Sequence, residues 1–256
     1  MIALEFFDCN ALYGVPSVPC LEQAKRVEAL LDEMEWAGIS RALVRHTAMI
    51  DESPVVGNRL IAEETAPHPS LCPSWAILPP QTDELGTPDE FLASMAQAGV
   101  RALWAYPSRH RYTLDGVTLG PLFEHLVDKR VPLFIERGET SRGLSGWELA
   151  GAVLREFPEL ILVVVSHGSW GEDRYFRPLL EAYEGFHIDT SRYELDGGIA
   201  DLCRRYGPER LLFGSAFPYT SPGGAILTLA HADITNGEKQ KIAAGNLDRL
   251  LSEVRL

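Results

Sequence analysis

The chain has 256 residues, a formal net charge of −13 and a hydrophobic fraction of 46%. Its acidic balance argues against a nucleic-acid partner, because phosphates need clustered Lys and Arg, and it gives no support for binding to a membrane surface. No apolar stretch approaches the ~20 residues that span a bilayer, the N-terminus lacks the basic region of a signal peptide, and four scattered cysteines are typical of reduced thiols, so we expect a cytoplasmic protein.

Eight short apolar segments alternate with segments of helical periodicity. Several of them are almost continuously apolar, which is typical of parallel strands that are covered on both faces. The predicted strands are, in chain order, 4–9, 40–46, 72–78, 100–106, 131–136, 160–166, 186–190 and 210–214.

The intervening segments predict helices. Apolar residues recur at helical spacing through 119–127 and, more loosely, through 21–34. Ser145 and Glu148 have the spacing of a capping box ahead of a third apolar stripe. Eight strand–helix units fit the about 250 residues of a (β/α)8 barrel, so we predict a single α/β domain over 1–256 with a TIM-barrel fold. A doubly wound open sheet is the competing fold.

Four segments resemble those of one enzyme family. Residues 210–218 have the sequence RLLFGSAFP, 243–250 AAGNLDRL, 99–103 GVRAL and 165–168 VSHG. They resemble the strand-eight motif RLLFGSDFP, the terminal GNAxRL helix and the strand-four and strand-six segments of the amidohydrolase-related family of metal-dependent hydrolases. The resemblance runs the length of the chain and implies a TIM barrel whose active site lies at the carboxyl ends of its strands.

The resemblance also implies a metal site, but most of its ligand positions are substituted. In the family, a D-x-H-x-H sequence, a strand-five His and a strand-eight Asp bind metal. The corresponding residues here are Asn10, Leu12, Glu136 and Ala216, whereas the strand-six histidine is present as His167. A catalytic zinc needs three protein ligands and an open position. We therefore expect no tightly bound metal; a weakly bound divalent ion such as zinc, held by Glu136 and His167, is the alternative.

Two side chains at predicted strand ends are the catalytic candidates, and each has two interpretations. His167 is either a hydrogen-bonded structural residue or a functional group at the barrel mouth. Glu136 follows a buried strand, where a carboxylate needs a partner. It either forms a structural ion pair with an arginine such as Arg101 or Arg137, or it acts as a general acid or base together with His167.

Arginines are concentrated near the predicted strand ends, which favours a small anionic ligand because a guanidinium binds a carboxylate with two hydrogen bonds. The alternative is that these loop arginines are simply solvated. They are Arg45, Arg109, Arg111, Arg137, Arg142 and Arg192. The residues that we expect to bind the substrate are Asn10, His46, Tyr106, Arg137 and Arg192.

These observations lead to two functional hypotheses. The first is an amidohydrolase-like hydrolase of C–N, C–O or lactone bonds, which acts on a small carboxylate-bearing molecule without a tightly bound metal. The second is a catalytically inactive barrel that binds a ligand or a partner. Asp8 and Asp189 are expected to serve structure through hydrogen bonds. The helical exterior allows a homo-oligomer but specifies no interface.

Overall fold

The computed structural model describes residues 4–20, 24–167 and 171–256. Most of the strands in these ranges pair in parallel, and two short ones, Thr140–Ser141 and Leu144–Ser145, form an antiparallel hairpin. The strands are β1 (Phe6–Tyr13), β2 (Ile39–His46), β3 (Leu71–Pro73), β4 (Trp75–Ala76), β5 (Leu103–Ala105), β6 (Leu133–Glu136), β7 (Thr140–Ser141), β8 (Leu144–Ser145), β9 (Leu162–Val165), β10 (Phe186–Asp189) and β11 (Leu211–Leu212).

Helices follow most of the parallel strands, and within the described ranges none combines the length and the apolar character needed to cross a membrane. They are α1 (Val27–Ala37), α2 (Ala48–Asp51), α3 (Pro54–Thr65), α4 (Pro88–Gln97), α5 (Pro107–His110), α6 (Gly116–Lys129), α7 (Gly146–Glu156), α8 (Asp173–Ala182), α9 (Gly198–Tyr206), α10 (Pro222–His231), α11 (Asn236–Gln240) and α12 (Asn246–Ser252), with a 3-10 turn at Pro80–Thr82 and a π turn at Lys241–Gly245.

The parallel strands close into a barrel. β3 and β4 are two pieces of one strand position, separated only by Ser74, since β3 pairs with β2 and β4 pairs with β5. The order then continues through β6, β9, β10 and β11. The N–H groups of Cys9 and Leu12 close the ring by donating to the carbonyls of Phe213 and Phe217, at 2.9 and 3.0 Å. The predicted (β/α)8 barrel is confirmed, and all eight predicted strand segments are found in it.

The core consists of apolar strand residues covered by one face of each helix. β9 is buried along its whole length, as its continuous apolar sequence predicts. The predicted helix over 119–127 is α6, whose buried residues include Leu119, Leu122, Phe123 and Leu126. The eight strands therefore form a rigid frame, and their carboxyl ends present the side chains described below.

The first strand is longer than predicted and contains a bulge. It continues beyond residue 9 because its residues up to Tyr13 still pair with β2. Asp8 pairs with Ala42 and Ala11 pairs with Val44, so two residues of β1, one of them Asn10, lie opposite a single residue of β2. A bulge turns a side chain out of the regular alternation of a strand. Nothing in the local sequence indicates this bulge.

Two helix-start predictions were wrong. α7 begins directly after Ser145, but the Ser145 side chain accepts no capping hydrogen bond, so the predicted capping box with Glu148 does not form. In the segment predicted over 21–34, helix α1 begins only at Val27, and residues 21–23 lie outside the described residues. Before α1 the chain packs against β1, since Gly14 N–H donates to the carbonyl of Ala24.

Candidate active site

A buried arginine connects four strand ends at the barrel mouth. Arg45 is the second-last residue of β2, and its side chain is 1% exposed. Its Nη2 donates to Asn10 Oδ1 and its Nη1 donates to Glu136 Oε1, and each donor–acceptor distance is 2.5 Å. Nη1 also donates to the Tyr106 hydroxyl at 3.3 Å, and the guanidinium lies 4.1 Å from the ring centroid of Trp104. β1, β2, β5 and β6 are thereby joined through one cation.

The neighbours of Arg45 stabilise its charged form. Burial by itself lowers the pKa of a guanidinium, but Tyr106 and Glu136 outweigh it and raise the pKa of Arg45 above its usual range. The Trp104 ring lies against the guanidinium and adds a cation–π contact to these hydrogen bonds. Arg45 is therefore a permanent positive charge inside the mouth.

Asn10 extends this network to β9 and β10. Its Nδ2 donates to Ser166 Oγ at 3.1 Å and to Asp189 Oδ2 at 3.2 Å. Ser166 N–H donates to the other Asp189 oxygen at 3.0 Å. The Asp189 carboxyl is buried, and this burial raises its pKa. As expected, Asp189 serves the structure of the mouth through hydrogen bonds.

Asp8 connects β1 to the segment after β11. Its carboxylate accepts from the N–H groups of Asn10 and Ser215, both at 2.9 Å, and from the Ser215 hydroxyl. Burial raises the pKa of Asp8 to about 6. This arrangement fixes the chain just before Ala216, the residue at the expected strand-eight ligand position.

His167 lies among aromatic side chains next to the network. It is fully buried, and its ring packs against Trp147, Phe176 and Tyr193 at centroid distances of 5.7, 5.5 and 5.2 Å. Its Nε2 lies 2.7 Å from the backbone oxygen of Asp189; because a carbonyl only accepts, Nε2 carries the proton. Residues 168–170 lie outside the described residues. The hydrogen bond to the Asp189 backbone is thus the link between His167 and the network at the mouth. The catalytic role of His167 stays a prediction.

The other catalytic candidate, Glu136, lies at the mouth. It ends β6, and its side chain is 31% exposed. The arginine that pairs with it is Arg45, so the expectation of Arg101 or Arg137 was wrong: Arg101 donates to the carbonyl of Leu251 instead. Within the described residues, no hydrogen bond joins Glu136 directly to His167.

Of the predicted substrate-binding residues, Asn10 and Tyr106 belong to the Arg45 network and His46 does not. His46 Nδ1 accepts from Ala48 N–H at 3.0 Å, and its Nε2 lies 3.9 Å from a Glu64 oxygen on α3. The ring meets Tyr13 edge-on at 4.9 Å. Burial lowers the pKa of His46, which favours its neutral form. His46 is therefore held between β2 and α3.

Of the six arginines near the predicted strand ends, Arg45 is the one that forms hydrogen bonds within the network described above. Three are paired with carboxylates, namely Arg45 with Glu136, Arg137 with Glu172, and Arg142 with Asp115. Glu172 also accepts from the Trp147 indole at 3.0 Å. The remaining three are exposed, and none of them forms an ion pair within the described ranges; they are Arg109, Arg111 and Arg192.

The residues at the expected ligand positions do not fit a divalent metal ion. The Asn10 and Glu136 oxygens already accept hydrogen bonds from the Arg45 guanidinium, whose charge repels a second cation. Leu12 and Ala216 carry no donor atom. In the part of the chain that the structure describes, no group of three His, Cys, Asp or Glu side chains is arranged to hold a metal.

Sequence reasoning missed the central position of Arg45 and the supporting hydroxyls of Ser166 and Ser215. One signal was present for Arg45, which directly follows the apolar run Ala42-Leu43-Val44 in a predicted strand. A charge at the end of a buried strand needs a partner of opposite charge, and Glu136 is a carboxylate at another predicted strand end.

Comparison with known proteins gives the family. A model of the amidohydrolase family matches residues 23–252. No curated protein matches the sequence. Among solved structures, the chain is similar to an uncharacterised TIM-barrel protein from Bordetella bronchiseptica, with 20% identity, 98% of this chain and 99% of that chain covered, and a TM-score of 0.74.

Two enzymes of known activity have a similar structure. For 4-oxalomesaconate hydratase from Rhodopseudomonas palustris, the identity is 18%, the coverage is 97% of this chain and 96% of that chain, and the TM-score is 0.70. For a dihydroxybenzoic acid decarboxylase from Polaromonas sp. JS666 with bound manganese, the identity is 14%, the coverage is 98% of this chain and 97% of that chain, and the TM-score is 0.75. These likenesses show the fold. Because the family model covers most of the chain, this protein belongs to the amidohydrolase family.

Proposed function

We propose that the protein is an enzyme that acts on a small carboxylate-bearing molecule at its barrel mouth, with Glu136 as the proton-transferring group. The observation that carries this proposal is the position of Glu136 at the outer end of a buried network. Arg45 fixes one carboxylate oxygen, and within the described residues nothing donates to the other, Oε2. That oxygen is available to a substrate or to a water molecule.

The geometry supports general acid–base chemistry. Arg45 holds Oε1 and so orients the lone pairs of Oε2, which accept a proton from the substrate or from an attacking water and later return it. A positioned base of this kind contributes about 10²- to 10⁴-fold to a rate. Tyr106 accepts from Arg45 at 3.3 Å, and burial raises the pKa of its hydroxyl, which stays protonated as a hydrogen-bond donor.

A carboxylate on the substrate would find positive charge at the same face. Arg109 and Arg111 lie in and directly after α5, which follows β5, and Arg192 comes soon after β10. The family favours hydrolysis, whereas the similar hydratase and decarboxylase favour the addition or removal of groups on carboxylated compounds. Hydrolysis and hydration need a group that takes a proton from water, and decarboxylation needs one that gives a proton to carbon. A carboxyl group can do either, so hydrolysis is the first reaction to test and lyase chemistry the second.

Two features of the mouth favour a second candidate function. Ala216 supplies no carboxylate at the end of the last strand, and the Nε2 of His167 is occupied by a backbone carbonyl. These two observations suit a barrel that binds a small anion without turnover. Binding without any product distinguishes this function from the first.

The experiment is a turnover screen over small lactones, amides and carboxylated aromatic acids. The wild-type protein is compared with Glu136→Gln and with the control Glu63→Gln, which removes a carboxylate from an exposed ion pair with Arg59 on α3. We expect Glu136→Gln to lower kcat by about 10²-fold or more while the control retains wild-type activity. Wild-type kcat in a folded Glu136→Gln protein would contradict the assignment of Glu136.

A further inference from the structure

We infer that the Arg45 guanidinium is the built-in cation of this site and takes the place that the family resemblance assigns to a divalent metal ion. The inference goes beyond the proposed function, because it concerns what occupies the mouth whether or not a substrate is turned over. It rests on contacts, on charge and on the residues that surround the guanidinium.

The contacts come from the expected ligand positions themselves. Asn10 on β1 and Glu136 on β6 each direct an oxygen at Arg45 from 2.5 Å, and both oxygens converge on a single positive group. The Trp104 ring covers the guanidinium at 4.1 Å. A metal ion between the same two oxygens would have to displace Arg45, whose side chain is almost fully buried.

The direct counterion of the Arg45 guanidinium is Glu136. Three carboxyl groups line the network, and two of them, Asp8 and Asp189, are fully buried. Within the described residues neither of these two accepts a hydrogen bond from Arg45, so the Glu136 carboxylate is the direct counterion of the guanidinium. A divalent ion at the same place would set two further positive charges beside the guanidinium, which repels them.

The remaining expected ligand positions are apolar and closed. Leu12 is fully buried, and Ala216 is 3% exposed. Neither side chain carries a donor atom that could bind a metal ion. A guanidinium suits such a site because it binds through planar hydrogen bonds to two acceptors and needs no complete shell of ligands.

The first test is chemical rescue. Arg45→Ala leaves the Asn10 and Glu136 acceptors facing a cavity, and we expect its Tm to fall by about 10 °C. Millimolar guanidinium chloride should raise the Tm of this variant by several degrees relative to sodium chloride. The control Arg59→Ala, which loses an exposed guanidinium, should show no such rise. A Tm of Arg45→Ala that guanidinium does not raise would overturn the inference.

The second test measures metal binding and does not depend on the folding of Arg45→Ala. The wild-type protein and the charge-conserving Arg45→Lys variant are dialysed against manganese and then against metal-free buffer, and the bound metal is quantified. We expect no stoichiometric manganese in either protein. One equivalent in the wild-type protein that is lost in Glu136→Gln would overturn the inference, because the metal and not Arg45 would then be the cation of the site.

Discussion

Arg45 on β2 and Glu136 on β6 form an ion pair in which Nη1 and Oε1 are 2.5 Å apart, although these two strands are not neighbours in the barrel. The partners differ in exposure, since Arg45 is buried and about a third of the Glu136 side chain reaches solvent. The pair therefore spans the mouth, with the cation inside and the carboxylate at the outer end. Its energetics and its chemistry both follow from this asymmetry.

Removal of the carboxylate should destabilise the protein more than removal of the cation. Glu136→Ala leaves Arg45 buried without its counterion, and we expect a loss of about 3–5 kcal/mol in the free energy of unfolding. Arg45→Met leaves a carboxylate that water can partly solvate, so its cost should be smaller. Urea unfolding of both variants and of the double variant measures this. Equal costs of the two single variants would contradict the predicted asymmetry, and a double variant whose cost is the sum of the two would show that the pair contributes nothing.

Asn10 is expected to be a second sensitive position. Asn10→Ala removes the acceptor of Arg45 Nη2 and the donor to Asp189, which leaves two buried polar groups unsatisfied. We expect a loss of about 2–4 kcal/mol in the free energy of unfolding. The exposed Asn236 at the start of α11 provides the control Asn236→Ala. A loss no larger than that of the control would contradict the network.

Asp8 gives the stability of the protein a specific pH dependence. Because burial raises its pKa from the ordinary 3.8 to about 6, the folded state keeps a proton that the unfolded state releases. Between about pH 4 and pH 6 the unfolding free energy should therefore fall as the pH rises, by up to about 3 kcal/mol from this group. Below pH 4 the contribution is fully present, and above pH 6 it is lost.

The comparison of wild type with Asp8→Asn isolates this contribution. Asp189, whose pKa is also raised by burial, titrates in both proteins. Chemical denaturation at several pH values should give a steeper decline for the wild type than for Asp8→Asn. Parallel curves would mean that the folded-state pKa of Asp8 is not raised.

His167 can be tested by separating packing from chemistry. His167→Ala removes a ring from the cluster of Trp147, Phe176 and Tyr193, and we expect a loss of about 3 kcal/mol in the free energy of unfolding. His167→Phe keeps the ring and removes the hydrogen bond to Asp189, so its stability loss should be smaller. We expect its kcat to fall by less than about ten-fold, which corresponds to 1.4 kcal/mol. A fall as large as that of Glu136→Gln would assign the proton transfer to His167.

The barrel could be predicted because each strand carries a local signal. An apolar run such as the one in β9 is recognisable without knowledge of its neighbours, and the family motif around Ala216 supports the same fold. The limits of β1 and the start of α1 depend on tertiary packing, which local periodicity does not contain. The bulge at Asn10 also depends on tertiary structure, because it is defined by the pairing of β1 with β2.

The candidate site was predicted only in part, for a related reason. Strand ends identified Asn10, Tyr106 and Glu136 as residues of the mouth, but which side chains touch depends on barrel geometry across the axis. The sequence neighbours of Glu136 suggested Arg137 as its partner, whereas the actual partner, Arg45, is distant in sequence. The single-domain, homo-oligomer and cytoplasmic assignments stay predictions.

A crystal structure of the wild-type protein grown with manganese and a carboxylated aromatic acid tests the central claim most directly. We predict that Arg45 keeps its bonds to Asn10 and Glu136, that the organic acid lies within hydrogen-bond distance of Glu136 Oε2, and that no manganese is bound between Asn10 and Glu136. A manganese ion coordinated by Glu136, with the Arg45 side chain displaced from the mouth, would contradict the account.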